Sequence, residues 1–300
     1  MKKIFKSIFF FCYLSLGFSF FKKKIVSKNF LSVLLYHEID SDIFEEQIKY
    51  LKTNKYNILP LKTVIDKIVN KEKLPPKTVV LTFDDGLKNN YLLLDTIKRY
   101  KINPTIFIAT SIVGTYRHFW DTKTDNQLDL IKFLNLSDKE RLDKLQVRGF
   151  FENKEYSNRQ ALSMEEINDM KNYVDFQPHS KFHPVLTKCS DNKKISEIKD
   201  SKDFINNKIH NKVYAFAPPF GIYDKEIIEI LKKLNFSCSL SITPGKNVEK
   251  YNLFELKRIG IPNKISINEF ICRLDGTWDF LRNLSFIKNK SDFYNQYYES

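Results

Sequence analysis

The segment Val79-Val-Leu-Thr-Phe-Asp-Asp-Gly86 joins an apolar, β-rich run to two carboxylates and a glycine. Near-continuous apolar runs are typical of strands buried on both faces of a parallel sheet. Successive side chains on a strand point to opposite faces, so Asp84 and Asp85 at its carboxyl end can take different roles. Taken alone, Asp-Asp-Gly is more often a solvated turn. Its position favours a site, because α/β proteins build their sites at the carboxyl ends of parallel strands.

Seven β-rich runs alternate with helical patterns beyond residue 30, which is typical of an α/β protein with parallel strands. Helices are indicated by apolar residues at helical spacing, by Asp224 as an N-cap and by the capping box Ser163-x-x-Glu166. The predicted strands are 32–36, 79–83, 105–109, 174–177, 213–217, 237–241 and 255–259.

Composition excludes a disordered or low-complexity chain, since 42% of the 300 residues are hydrophobic and only 8 are Gly and 10 Pro. Four widely spaced cysteines predict buried free thiols rather than a disulfide framework. Neither an internal repeat nor a glycine-rich linker is evident, so we predict one domain over residues 31–300. Its segment from about 111 to 161 reads as an insertion with two helical patterns, around 128–134 and 140–145.

Basic residues are concentrated at the N-terminus, where residues 1–30 contain seven Lys and no Asp or Glu. This segment therefore contributes +7 of the net charge of +13. The lysines flank an uncharged aromatic run, 7–21, whose helix of roughly 22 Å is shorter than the roughly 30 Å hydrocarbon core. We predict that residues 1–30 are a membrane-associating or signal-anchor segment on an anionic membrane surface, with the protein at the cytoplasmic face. The alternatives are export with anchoring by residues 1–28, or a buried helix that caps the fold. Because the charge lies in this segment and no reader motif is present, we predict no nucleic-acid partner.

A second motif, His179-Ser-Lys-Phe-His183, comes just after the fourth predicted strand. Two histidines at i and i+4 lie on one face of a helical turn, where their ring nitrogens can reach one metal ion. A pair of surface histidines is the alternative. Their place at a second strand end, in a chain with only five His, favours the metal site.

Together the two motifs resemble those of the polysaccharide deacetylase family (NodB-homology, carbohydrate esterase family 4). The resemblance covers about residues 32–262, including FEEQIKYLKTNKYNILPL from 44 and ALSMEEINDMKNYV from 161. The segment 216–221, FAPPFG, resembles a third family motif, although Ala217 stands where many members have Arg. Tyr36-His37 resembles a dipeptide of the subgroup that acts on poly-N-acetylglucosamine, and that subgroup also often lacks the Arg.

The resemblance implies a distorted (β/α)7 barrel, in agreement with the seven predicted strands. It implies that Asp84 is the catalytic base and that Asp85, His179 and His183 are metal ligands. One carboxylate and two imidazoles leave coordination positions open, which suits catalytic Zn²⁺.

The late leucine-x-histidine motif of many family members has no match in this chain, because no His follows His210. The general acid is therefore left unassigned by the resemblance. An amine leaving group needs a proton, and His37 is the unassigned histidine at a predicted strand end. We therefore predict His37 as the acid, with a hydrogen-bonded core histidine as the alternative.

Substrate contacts are predicted from the third motif and from aromatic residues that could stack on sugar rings; the alternative for each is packing. Trp120-Asp121 resembles a Trp-Asp of family members from surface-polysaccharide gene clusters. The predicted contacts are Pro219, Phe220, Gly221, Tyr223 and Trp120.

The sequence thus predicts a metal-dependent hydrolase that removes N-acetyl groups from an amino sugar. Its substrate would be a surface polysaccharide or its lipid-linked precursor. The alternatives are a polysaccharide O-acetyl esterase and a catalytically silent glycan-binding barrel, which Ala217 and the missing late histidine keep open.

Overall fold

The computed structural model describes residues 30–248 and 251–277. These residues form two compact units, and strand β3 passes from the first to the second between Leu81 and Thr82. Among the described residues, the first unit comprises 30–81, 243–248, 251 and 257–277. The second comprises 82–242 and 252–256.

In the first unit, strands and helices alternate along the chain. Its elements are β1 (Leu31–Tyr36), α1 (Ser41–Thr53), β2 (Asn57–Ile58), α2 (Leu61–Val69), the start of β3 (Thr78–Phe83), most of β8 (Leu256–Gly260) and α9 (Ile267–Asp275). β1 pairs in parallel with β8, and β2 with β3. Helix α1 follows from local chemistry, since the Asp40 side chain accepts the N–H groups of Asp42 and Ile43 at its start.

The second unit carries the candidate site residues that follow β3 and β5. Its elements are the end of β3, α3 (Leu94–Tyr100), β4 (Thr105–Ile108), α4 (Gln127–Asn135), α5 (Asp138–Val147), α6 (Met164–Met170), β5 (Asp175–Pro178), α7 (Asp191–Phe204), β6 (Ala215–Phe216), α8 (Lys225–Lys233) and most of β7 (Cys238–Pro244). Here β3 pairs with β4, β4 with β5 and β6 with β7, in each case in parallel. β4 is buried along its whole length, as its apolar sequence predicts.

The fold class predicted from the sequence, α/β with a distorted (β/α)7 barrel, is confirmed by these parallel strands and intervening helices. All seven predicted strands are present with ends that differ by at most three residues from the predicted ones, and the two-residue β2 is additional. Asp224 caps α8 and Ser163 with Glu166 forms a capping box at α6, as predicted. The predicted insertion contains α4 and α5, close to the two helical patterns expected there.

The three cysteines within the described residues, Cys189, Cys238 and Cys272, are buried free thiols, as predicted. Cys12 lies outside those residues, together with the whole predicted membrane segment.

The predicted localisation is wrong. Attachment at the cytoplasmic face, or export with anchoring by residues 1–28, was expected from a short apolar segment that lies outside the described residues. Within 30–248 and 251–277, no helix is long and apolar enough to cross a membrane. Helix α7, with 14 residues, falls short of the about 20 apolar residues that a span needs.

Candidate metal centre

Asp84 and Asp85 lie in the turn that follows β3. Asp84 is buried, whereas the side chain of Asp85 keeps 16% of its surface exposed. Asp85 and Gly86 both have left-handed backbones, with φ of 72° and 70°. A Cβ atom on Gly86 would lie 2.6 Å from Ile108 Cγ2, so glycine allows the turn to pack against β4.

His179 and His183 lie in a loop after β5, and not on the helical turn that their spacing predicted. Ser180 and His183 have left-handed backbones, with φ of 65° and 57°, which interrupts any helical path. The loop nevertheless brings the two imidazole ring centroids to within 4.9 Å of each other.

The two imidazoles converge on one carboxylate oxygen. Oδ1 of Asp85 lies 3.5 Å from Nε2 of His179 and 3.2 Å from Nε2 of His183. The three residues offer ligand atoms that all lie within 4.8 Å of one another. The described residues thus contain a possible metal site with the Asp-His-His composition predicted from the sequence.

The residues present fit a divalent metal ion. Imidazole nitrogen and carboxylate oxygen are ligands that Zn²⁺ accepts, and three protein ligands leave open positions. Nδ1 of His183 is buried and has no hydrogen-bond partner among the described residues. The ring nitrogens that face Asp85 are instead the two Nε2 atoms, and their approach to one carboxylate oxygen is the arrangement that a shared metal ion would use.

The main-chain carbonyl of Ala217 fixes the tautomer of His179. It accepts a hydrogen bond of 2.7 Å from Nδ1, which leaves the lone pair of the neutral ring on Nε2, toward Asp85. Gln177 supports this arrangement, because its Oε1 accepts the N–H groups of Tyr214 (3.0 Å) and Ala215 (3.1 Å) and so links β5 to β6. Thus Ala217, where many family members have Arg, takes part through its backbone.

The pKa values of the two histidines shift in opposite directions. Burial, the largest effect, lowers the pKa of His179 to about 4, although Asp84 acts in the opposite direction. Burial also lowers the pKa of His183, but Asp85, with help from Asp121 and Asp84, outweighs it and raises that pKa. His179 is therefore neutral at pH 7, in the form that binds metal.

Aromatic rings surround His183. Its ring centroid lies 4.5 Å from that of Phe220 and 5.4 Å from that of Phe119. Trp120, whose ring packs at 5.3 Å from Phe220, donates a hydrogen bond of 2.8 Å from Nε1 to the carbonyl of His183. Behind it lies Arg141, 1% exposed and 4.9 Å from the indole.

The predicted substrate contacts differ in exposure. Trp120, Pro219 and Phe220 are buried. Gly221 and Tyr223 are partly exposed, and the Tyr223 hydroxyl donates to Oε1 of Glu255 at 3.2 Å. Burial and then Glu255 raise the pKa of Tyr223 to about 12, so this phenol is protonated at neutral pH.

His37, the predicted general acid, follows β1 in the first unit and is partly exposed. Its catalytic role stays a prediction. The sequence reasoning missed two buried charged residues of the second unit, Arg141 and Glu197. Arg141 pairs with Asp138 of its own helix and lies over the ring of Trp120, whereas Glu197 accepts N–H groups from a loop 15 and 16 residues before it. Nothing in the local sequence pattern distinguishes them from solvated helix residues.

An α/β fold with a carboxylate and two imidazoles at its strand ends is typical of metal-dependent hydrolases. The family model described as polysaccharide deacetylase matches residues 71–239, and the chain belongs to that family.

Known proteins similar to this chain are described as deacetylases. A putative polysaccharide deacetylase, YxkH from Bacillus subtilis, is 22% identical over 250 residues, covering 80% of this chain and 74% of the relative. The poly-β-1,6-N-acetyl-D-glucosamine N-deacetylase of Staphylococcus epidermidis is 23% identical over 265 residues, covering 83% and 79%. The Streptococcus pyogenes deacetylase PplD, solved with acetate, has a TM-score of 0.63 at 21% identity and covers 83% of this chain and 99% of that one.

Proposed function

We propose that the protein is a metal-dependent hydrolase that removes N-acetyl groups from amino sugars of a surface polysaccharide. The observation that carries the proposal is the convergence of His179 Nε2 and His183 Nε2 on one oxygen of Asp85. Similarity to a poly-β-1,6-N-acetyl-D-glucosamine N-deacetylase supports the amide substrate. Similarity to a deacetylase that binds acetate supports the same product.

The residues proposed to hold the metal, for which we propose Zn²⁺, are Asp85, His179 and His183. When bound, such an ion supplies Lewis acidity to an acetyl carbonyl and to a water molecule. His179 binds through Nε2 because the Ala217 carbonyl holds the proton on Nδ1. The ring of His183 is kept in place by its aromatic neighbours and by the bond from Trp120 to its carbonyl.

Asp84 is proposed as the general base that takes a proton from the attacking water. Asp84 is buried, and its negative charge acts to raise the pKa of both imidazoles. This interaction supports a role for Asp84 beside the proposed metal ligands. His37 is proposed as the acid that gives a proton to the leaving amine. Substrate contact is proposed for the residues Pro219, Phe220, Gly221, Tyr223 and Trp120. Exposure favours Gly221 and Tyr223 within that set.

The test measures acetate release from three substrates by chelator-treated protein, with and without Zn²⁺. The substrates are poly-N-acetylglucosamine oligomers, a lipid-linked N-acetylhexosamine and an O-acetylated polysaccharide. We expect Zn²⁺-dependent release from the oligomers and none from His183→Ala. Release from the O-acetylated polymer alone would make the protein an esterase. Binding of oligomers without release from any substrate would make it a glycan-binding protein.

A further inference from the structure

We propose that Glu197, on α7, is the positioning residue that holds the His179–His183 loop in its metal-binding conformation. The proposal rests on the proposed function, since it assumes that this loop binds metal. Oε2 of Glu197 accepts the main-chain N–H of Lys181 at 2.9 Å and that of Phe182 at 2.8 Å. Glu197 is 2% exposed, so these bonds are made away from solvent.

Other groups satisfy several further backbone groups of the loop. Its carbonyls at 180 and 181 accept the N–H groups of residues 110 and 111, and the N–H of His179 donates to the carbonyl of Ile108. The N–H of His183 donates to Oγ of Ser180 at 3.1 Å, within the loop itself. The N–H groups at 181 and 182 instead donate to α7, where Glu197 supplies their acceptor.

Backbone conformation shows why the acceptor matters. Ser180 and His183 are left-handed, a backbone conformation that non-glycine residues keep only where their surroundings hold them in it. The two N–H groups that donate to Glu197 belong to Lys181 and Phe182, which lie between these two residues in the chain. They hold the backbone path that turns the imidazole of His183 toward Asp85.

Oε2 of Glu197 is a single acceptor that both N–H groups share. An apolar side chain at 197 would leave two loop N–H groups without an acceptor, and the loop would relax to satisfy them. The expected consequence is a weaker metal site.

Three variants test the proposal: Glu197→Ala, Glu197→Gln and, as matched control, Asp200→Asn. Asp200 lies on the same helix and contacts the same loop residue, but through the Lys181 side chain, with Oδ2 at 3.2 Å from Nζ. The measurements are Zn²⁺ affinity by competition with a chromogenic chelator, the visible absorption spectrum of the Co²⁺ form, and the melting temperature of the metal-free protein.

We expect Glu197→Ala to weaken Zn²⁺ binding about 10–100-fold, the usual effect of removing a partner behind a metal ligand, and to change the Co²⁺ spectrum. Glu197→Gln, which keeps an acceptor oxygen, should lose less. Asp200→Asn should stay within about twofold of native, because an exposed ion pair contributes little.

Native-like Zn²⁺ affinity and Co²⁺ spectrum in folded Glu197→Ala would overturn the proposal, as would an equal loss in Asp200→Asn. If Glu197→Ala does not fold, Glu197→Gln decides: unchanged affinity overturns the proposal and weaker binding supports it. Failure of the proposed function is distinguishable, because then the native protein itself would not bind Zn²⁺, or His183→Ala would bind it equally well.

Discussion

The indole Nε1 of Trp120 donates a hydrogen bond of 2.8 Å to the main-chain carbonyl of His183, although the two residues are 63 positions apart. Trp120 belongs to the insertion between β4 and β5, and its indole is covered by Phe220 and Arg141. The insertion therefore helps to build the metal centre. From the sequence, Trp120 was expected either to stack on a sugar ring or to pack in the core. The buried hydrogen bond to His183 adds a third role, support of the histidine loop.

Replacing Trp120 by Phe should lower both the stability of the metal-free protein and its Zn²⁺ affinity. Phenylalanine keeps an aromatic ring but leaves the His183 carbonyl without its donor, which costs about 1–3 kcal/mol for a buried group. Urea unfolding and chelator competition measure the two effects. Leu128→Ala, at a side chain of the same insertion that is 71% exposed, is the control and should change stability by less than about 0.5 kcal/mol. Native-like Zn²⁺ affinity in Trp120→Phe would show that the hydrogen bond is not needed for the site.

The adjacent aspartates should separate into two roles. Asp84→Asn should abolish acetate release while Zn²⁺ still binds, because the proposed base does not hold the metal. Asp85→Asn should weaken Zn²⁺ binding as strongly as His179→Ala, since its Oδ1 is the atom on which both imidazoles converge. Isothermal titration of the chelator-treated variants compares them, and equal metal loss in both would refute the assignment.

Much of this arrangement was predictable because it depends on local patterns. The β3 run ends just before Asp84, and the side chains of Asp224 and Ser163 cap helices by accepting N–H groups three positions on. Parallel strands end at one edge of a sheet, so the motifs after β3 and β5 could be placed together.

What failed was the local geometry of the histidine motif. Its i, i+4 spacing predicted a helical turn, yet the chain there bends through left-handed Ser180 and His183. The N–H groups of a helical turn would bond to carbonyls within it. Here the acceptor is Glu197, 15 residues beyond Phe182, and the sequence carries no sign of that pairing.

Stability of the metal-free protein should depend on pH in two separate windows. The folded pKa of His179 is about 4, below its ordinary 6.5, so the unfolded state binds more protons between these values and stability falls as pH drops from 6.5 toward 4. The folded pKa of His183 is raised, so its contribution is present below 6.5 and is lost as pH rises through the folded pKa.

Melting temperatures in EDTA from pH 4 to 8 measure both contributions. His179→Gln should flatten the acid side of the profile, and His183→Gln should flatten the side above pH 6.5. The assignment of the two pH ranges to the two histidines is wrong if His179→Gln changes the profile above pH 6.5 and His183→Gln changes its acid side.

Two glycines with similar backbones should respond differently to alanine. Gly149 has φ of 79° and no atom within 4 Å of an added Cβ, so Gly149→Ala should cost only the left-handed penalty of about 1–2 kcal/mol. Gly86 has φ of 70°, and its added Cβ would lie 2.6 Å from a methyl of buried Ile108. Gly86→Ala should cost about 1–3 kcal/mol more for overpacking and should also weaken Zn²⁺ binding by moving the Asp85 turn. Urea denaturation compares the two, and equal losses would mean that β4 accommodates the methyl group.

The proton given to the leaving amine provides the test of His37. Amide hydrolysis expels an amine that must be protonated, whereas an activated aryl ester expels a group that leaves without a proton. His37→Ala should therefore slow deacetylation of N-acetylglucosamine oligomers about 10²–10⁴-fold, the usual contribution of a general acid. Hydrolysis of the aryl ester should change far less, and Zn²⁺ affinity should stay native. The pH–rate profile of the native enzyme on the amide should fall on its alkaline side, where the acid loses its proton, and this limb should disappear in the variant. Equal slowing of amide and ester, or no slowing of either with the metal still bound, would show that His37 is a structural residue and that another group supplies the proton.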